Sequence, residues 1–145
     1  MVRIVPYLTV KNGKEAIELY KRIFNAKLVD HEAFSPETTA GFNFPKDFDY
    51  ENSTMHAELD IGGSAIFLSD NVGPPAESST RLVEVVLDFE TKEEIENIYK
   101  KAQENGCEIM MELQQTFWGA LYSRFSDPFG IGWQLNHDLP QEESK

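Results

Sequence analysis

Cysteine is all but missing from this 145-residue chain, where Cys107 stands alone. A lone thiol excludes an internal disulfide and fits a reducing compartment, so a cytoplasmic protein is expected. Cations are scarce too: 13 Lys and Arg face 25 Asp and Glu, for a formal charge of −12. Neutralising phosphates needs clustered Lys and Arg, so neither nucleic acid nor an anionic membrane is an expected partner. Apolar runs are short, and none suits a signal peptide or a membrane span. What remains is an ordinary globular composition, 41% apolar, in a chain long enough for one domain with its own core.

The most informative stretch is 117–137, FWGALYSRFSDPFGIGWQLNH. Asp127-Pro128-Phe129-Gly130 has turn chemistry, because Pro presets φ, Gly tolerates a left-handed φ and Asp can bond the backbone ahead of it. A hairpin follows, and its second strand ends in Gln134, Asn136 and His137. Upstream, 4–10 reads as a strand with Pro6 near its start. Asn12 caps a helix with Ala16, Ile17, Leu19, Tyr20, Ile23 and Phe24 on one face, ending at Asn25-Ala26. A strand over 27–34 precedes a long aromatic loop over 35–51, which reads as a lid. Residues 55–61 alternate strictly, and Gly62-Gly63 turns the chain into a strand over 64–69. Residues 70–79 read as a linker.

The order then repeats. A strand over 81–89 leads to a helix capped by Thr91 with Glu94 at the capping-box position, closed by Asn105-Gly106, and a strand over 108–113 precedes the hairpin. Laying the halves over each other places His56 on Tyr122, Glu58 on Arg124 and Phe67 on Trp133. The expected class is α+β: two βαβββ modules, about 3–71 and 81–137, in a single domain 1–145, with a linker 72–80 and a flexible tail 138–145. Each helix covers one sheet face, and the other faces are expected to curve around a cleft.

Strand parity then selects the residues that see the cleft: Tyr7, Thr9, His56, Glu58, Glu84, Val86, Tyr122, Arg124, Gln134 and Asn136. A single bulge would invert such a selection. Tyr7, Thr9, His56, Tyr122, Arg124, Gln134 and Asn136 are candidate ligand contacts, and Glu84 and Glu58 are candidate catalytic bases. The structural alternatives stand beside these. Glu58 and Arg124 could form an ion pair across the cleft, His56 could be a hydrogen-bonded strand histidine, and Trp118 and Trp133 read as core. Cys107 lacks a nearby His or Lys in sequence, which makes a poor nucleophile.

Several motifs carry a family resemblance: Val5-Pro6-Tyr7-Leu8-Thr9-Val10, Met55-His56-Ala57-Glu58-Leu59, Phe67-Leu68-Ser69-Asp70-Asn71, Phe117-Trp118-Gly119 and Asp127-Pro128-Phe129-Gly130 with Trp133. Over about residues 3–137 the chain resembles PhnB-type proteins of the glyoxalase, bleomycin-resistance and extradiol-dioxygenase (vicinal oxygen chelate) superfamily. The resemblance implies paired βαβββ modules and commonly a homodimer. It also implies a divalent metal held at four strand positions, which look like Val5, Leu68, Glu84 and Gln134 here. Val and Leu cannot ligate, and one carboxylate with one amide is a poor site for Zn, Ni or Fe. No metal or other cofactor is therefore expected, with His56, Glu58 and Glu84 as the fallback set if a divalent metal is bound.

Three functions follow. The first is metal-free binding of a small molecule. The second is a metal-dependent lyase, isomerase or dioxygenase with Glu84 or Glu58 as base. The third, methyltransferase, comes only from a label attached to some relatives, and the chain lacks a Gly-rich strand-to-helix cofactor loop.

Overall fold

A computed structural model describes residues 1–73 and 82–140. The chain divides into two compact units, Met1–Pro75 and Ala76–Lys145. In the first lie β1 (Tyr7–Val10), α1 (Gly13–Phe24), β2 (Lys27–Glu32), β3 (His56–Ile61) and β4 (Ser64–Asp70). In the second lie β5 (Val85–Asp88), α2 (Lys92–Glu104), β6 (Glu108–Gln115), β7 (Ala120–Ser126) and β8 (Gly132–Asp138). Each unit is one βαβββ module with a mixed four-stranded sheet, ordered β1-β4-β3-β2 and β5-β8-β7-β6. The outer pairs β1–β4 and β5–β8 are parallel, and the remaining pairs are antiparallel. This is the expected α+β architecture. The expected linker 72–80 and tail 138–145 fall largely outside the described residues.

Local chemistry explains the boundaries. Pro6 has no N–H for the ladder, so β1 starts at Tyr7, while the Pro6 carbonyl still accepts from Phe67 N at 2.9 Å. Helix α1 is capped by Asn12, whose side chain accepts from Glu15 N at 3.3 Å, and ends at Asn25 with a left-handed φ of 56°. On α2, Thr91 accepts from Glu94 N at 3.2 Å and donates to the Glu94 carboxylate at 2.8 Å. In the first module Ala16, Ile17, Tyr20, Ile23 and Phe24 of α1 are buried together with Leu8, Val10, Ala57, Leu59, Ile66 and Leu68 of the sheet. In the second, Ile95, Ile98 and Ala102 of α2 are buried with Phe125, Trp133 and Leu135.

Asp70 does not belong to the linker. It is the last residue of β4, and its carboxylate accepts from Gly13 N at 2.6 Å and from Thr54 N at 2.8 Å. One side chain thus fastens the first turn of α1 to the end of the aromatic loop, where a carboxylate also suits the helix dipole. A Cβ at position 13 would lie 2.8 Å from Asp70 Oδ1, which explains the glycine there. The aromatic loop has packing of its own: Phe44 lies 5.4 Å from Phe34 and 4.9 Å from Phe48, which in turn lies 4.9 Å from Tyr50, between ring centroids.

Candidate functional site

Both sheets bury alternate residues under their helix and leave the others on an open face. The residues that parity selects lie on these open faces. Tyr7, Thr9 and Val86 are exposed, while His56, Glu58, Glu84, Tyr122, Arg124, Gln134 and Asn136 are partly buried. The register irregularities fall between Leu28 and Asp30 on β2 and between Ile109 and Gln114 on β6. Neither strand carries a candidate residue, so the bulges leave the selection intact.

On the second sheet four of these side chains form one connected group. Glu84, just before β5, has a side chain only 6% exposed. Its Oε1 accepts from Arg124 Nη2 at 2.7 Å, from Arg124 Nε at 3.1 Å and from Gln134 Nε2 at 2.9 Å. The Gln134 carbonyl oxygen accepts from the Tyr122 hydroxyl at 2.5 Å. The strand ladder fixes this geometry, because Arg124 pairs with Gln134 across β7–β8 and β5 lies on the other side of β8. Gly132 makes room for it: a Cβ there would collide with the Glu84 carboxylate. Arg124, a candidate partner of Glu58, has its guanidinium engaged by Glu84 of its own module. Asn136 stands apart, donating to Asp88 at 2.9 Å and Asp138 at 3.2 Å.

Trp118 is not a core residue. It is 53% exposed, edge-on to Tyr122 at 6.0 Å and to Phe117 at 4.9 Å. Trp133 is fully buried, and its indole N–H donates to Asp127 Oδ2 at 2.9 Å. His137 is buried as well, with Nδ1 2.9 Å from the Phe89 carbonyl oxygen, so it ties the end of β8 to the loop before α2.

The open face of the first sheet carries a different group. Tyr7, His56 and Phe67 form a ring cluster, with centroids 6.2 Å apart for Tyr7–His56, 5.0 Å for His56–Phe67 and 6.4 Å for Tyr7–Phe67. Among the described residues the His56 side chain makes ring contacts and no hydrogen bond. Phe67 was not among the parity-selected residues, because the repeat alignment put it on Trp133. The register corrects this: Glu58 pairs with Phe67 and Arg124 with Gln134, so Phe67 is the counterpart of Gln134. The second hairpin is one residue longer between these positions, a shift invisible to a fixed offset. Leu68, which the family resemblance had placed at a metal position, is fully buried beneath the helix. The open-face residue there is Phe67.

These residues do not fit a divalent metal. Of the four implied positions, two are hydrocarbon, and the carboxylate oxygen of Glu84 is held by a guanidinium, a fixed positive charge where a cation would have to sit. The fallback ligands His56 and Glu58 lie in the first module and Glu84 in the second. Among the described residues no three His, Cys, Asp or Glu side chains gather in a way that could hold a metal.

Burial raises the Tyr122 phenol above its ordinary 10.0, with Arg124 opposing and the Glu84 charge adding to the rise. A raised value means that the neutral phenol is favoured by folding. Its contribution to stability is complete below pH ~10 and lost as pH climbs through the folded value. Ultraviolet difference titration near the phenolate band should show that the tyrosine missing in Tyr122→Phe is one that ionises above pH ~10. A wild-type curve with no such component would contradict this. Cys107 is pushed up to about 12, chiefly by burial and further by the Asp127 charge. Folded protein at pH ~8 should therefore resist iodoacetamide and become labelled on unfolding, as read by mass spectrometry.

The sequence profile of the glyoxalase/bleomycin resistance protein/dioxygenase superfamily matches residues 2–135. The chain belongs to that superfamily. Protein YjdN of Escherichia coli (strain K12) is 31% identical over 137 residues, covering 90% of this chain and 92% of its own. Protein PA1353 from Pseudomonas aeruginosa superposes with a TM-score of 0.76 at 29% identity, over 97% of this chain and 100% of that one. A Bacillus cereus PhnB protein, described as a putative 3-demethylubiquinone-9 3-methyltransferase, superposes at 0.73 with 22% identity, over 94% of this chain and 99% of that one. That last likeness is one of fold. No helix among the described residues is long and apolar enough to cross a membrane.

Proposed function

We propose that this chain is a PhnB-type small-molecule-binding protein whose site on the open face of the second sheet works without a metal. The observation that supports this most is the engagement of Glu84 by Arg124 and Gln134, which puts an internal guanidinium in the role a divalent cation would otherwise fill. A bound molecule would lay an apolar ring against the half-exposed Trp118 and direct a polar group to Arg124 and the Tyr122–Gln134 pair. Glu84 orients Arg124 and Gln134 in this reading, and no general base is required. A cytoplasmic homodimer belongs to the same reading, and sedimentation equilibrium would test the dimer.

Metal analysis of protein purified without chelators should find no stoichiometric Zn, Ni, Mn or Fe. Indole fluorescence titrated with a panel of small aromatic acids and amines should be quenched saturably, unchanged by dialysis against EDTA and abolished in Trp118→Leu. A stoichiometric metal that disappears in Glu84→Ala would overturn the proposal in favour of a metal-dependent lyase, isomerase or dioxygenase. Calorimetry with S-adenosylmethionine should show no binding heat; a clear isotherm would revive the methyltransferase reading.

A further inference from the structure

The ring cluster of the first module is chemically unlike the Glu84 group and lies on a separate sheet. Tyr7, His56 and Phe67 occupy three adjacent strands, β1, β3 and β4. Phe67 stands steeply to both partners, at 86° to Tyr7 and 70° to His56. None of the three pairs is a parallel face-to-face stack, and a ring face attracts cations. One cation has already taken that position. The Arg3 guanidinium lies over the Phe67 ring, 5.8 Å from its centroid. The chain holds 25 carboxylates, yet Arg3 has no ion pair among the described residues and sits against a ring. Beside Phe67 on β3 is Glu58, its cross-strand partner. Directly opposed side chains on a sheet stand about 5 Å apart at Cβ. The Glu58 side chain has no hydrogen bond or ion pair among the described residues.

We infer that Tyr7, His56 and Phe67 with Glu58 form a second binding site, selective for an organic cation such as a quaternary or alkylated ammonium group. Arg3 is its tethered occupant. Rings supply attraction without directional hydrogen bonds, which suits an alkylated ammonium that has no N–H to donate, and Glu58 supplies the balancing charge. Arg3 precedes β1, outside any regular element, so the ladder of the first sheet does not depend on its guanidinium. An external cation can therefore displace it.

Choline and its uncharged isostere 3,3-dimethylbutan-1-ol make a matched pair of probes, differing only in nitrogen against carbon. Titrated into isotopically labelled protein and followed by NMR, choline should shift the resonances of Tyr7, His56 and Phe67 saturably, and the isostere should bind roughly fivefold more weakly or worse. Arg3→Ala should tighten choline binding by about threefold or more, because it removes the competitor. Tyr7→Leu, at a 53% exposed position on an edge strand, should weaken it without endangering the fold. Phe67→Leu should abolish it. Tyr122→Phe, in the other module, should leave it unchanged, which separates this site from the one proposed above. Equal binding of the two probes, or no saturable choline binding even in Arg3→Ala, would overturn the inference.

Discussion

Arg124→Ala should destabilise the second module by about 3–5 kcal/mol, because it leaves the Glu84 carboxylate buried without its counter-charge. The Glu84 side chain is 6% exposed, and two of its three donors come from Arg124. Gln134 alone would have to satisfy that oxygen. Replacing both members, as in Glu84→Met with Arg124→Leu, should recover most of the loss, since two hydrocarbons remove the buried charge together with its partner. Urea denaturation of Glu84→Met, Arg124→Leu and the double variant gives the coupling energy directly. A pair this close should deviate from additivity by about 0.5–3 kcal/mol, and additive effects would show that the ion pair has no energetic role. Small-molecule quenching of Trp118 fluorescence should be lost in Arg124→Ala.

Asp127→Ala should be comparably severe, at about 3–5 kcal/mol. Asp127 is 5% exposed, and its carboxylate accepts from Phe129 N at 2.8 Å, Ile131 N at 3.0 Å and the Trp133 indole N–H at 2.9 Å. The two backbone N–H groups belong to a part-buried turn. The indole N–H is at the centre of the module, where an unmatched donor costs ~1–3 kcal/mol by itself. Asp127→Asn keeps an acceptor on one side but turns an amide N–H toward donors on the other, so it should lie between wild type and Ala. Thermal unfolding, with the indole bands of the near-ultraviolet circular dichroism as a local probe, separates the three proteins. A loss below ~1 kcal/mol for Asp127→Ala would mean the turn is held by other contacts.

The Asp127-Pro128-Phe129-Gly130 turn shows how far sequence reading reaches. Turn chemistry is local, so the hairpin is legible from four residues, and Gly130 indeed adopts φ 88°. That the same Asp also anchors Trp133 is a contact between a turn and a strand six residues away. Residue type says only that an indole N–H needs an acceptor. Phe67 marks the opposite limit. Ile66, Phe67 and Leu68 are all apolar, so β4 has no alternation to reveal which side chain faces out, and the match to Trp133 was off by one because the second hairpin is one residue longer. Trp118 misled for a related reason: large aromatics are usually covered, and nothing in Phe117-Trp118-Gly119 signals that its loop stands clear of the core.

Glu84, Arg124, Gln134 and Tyr122 were all selected by parity, yet their union was not readable. The pairing expected for Arg124 pointed to Glu58, since matching repeat positions suggest matching partners. Strand order decided otherwise. With β8 between β5 and β7, Glu84 and Arg124 approach from either side of Gln134, and Gly132 leaves space for the carboxylate.

The sequence by itself determined the repeated βαβββ order, the caps of both helices, the helix-facing and open faces of five strands, and the poverty of metal ligands at the implied positions. Each of these depends on a period, a local backbone preference or a side chain's chemical type, all carried by residues near one another in the chain. Tertiary structure decided which charges meet, which ring stands beside which, and that Asp70 and Asp127 are fasteners. Those outcomes depend on hairpin length and strand order, which bring residues 40 or 50 positions apart within 3 Å.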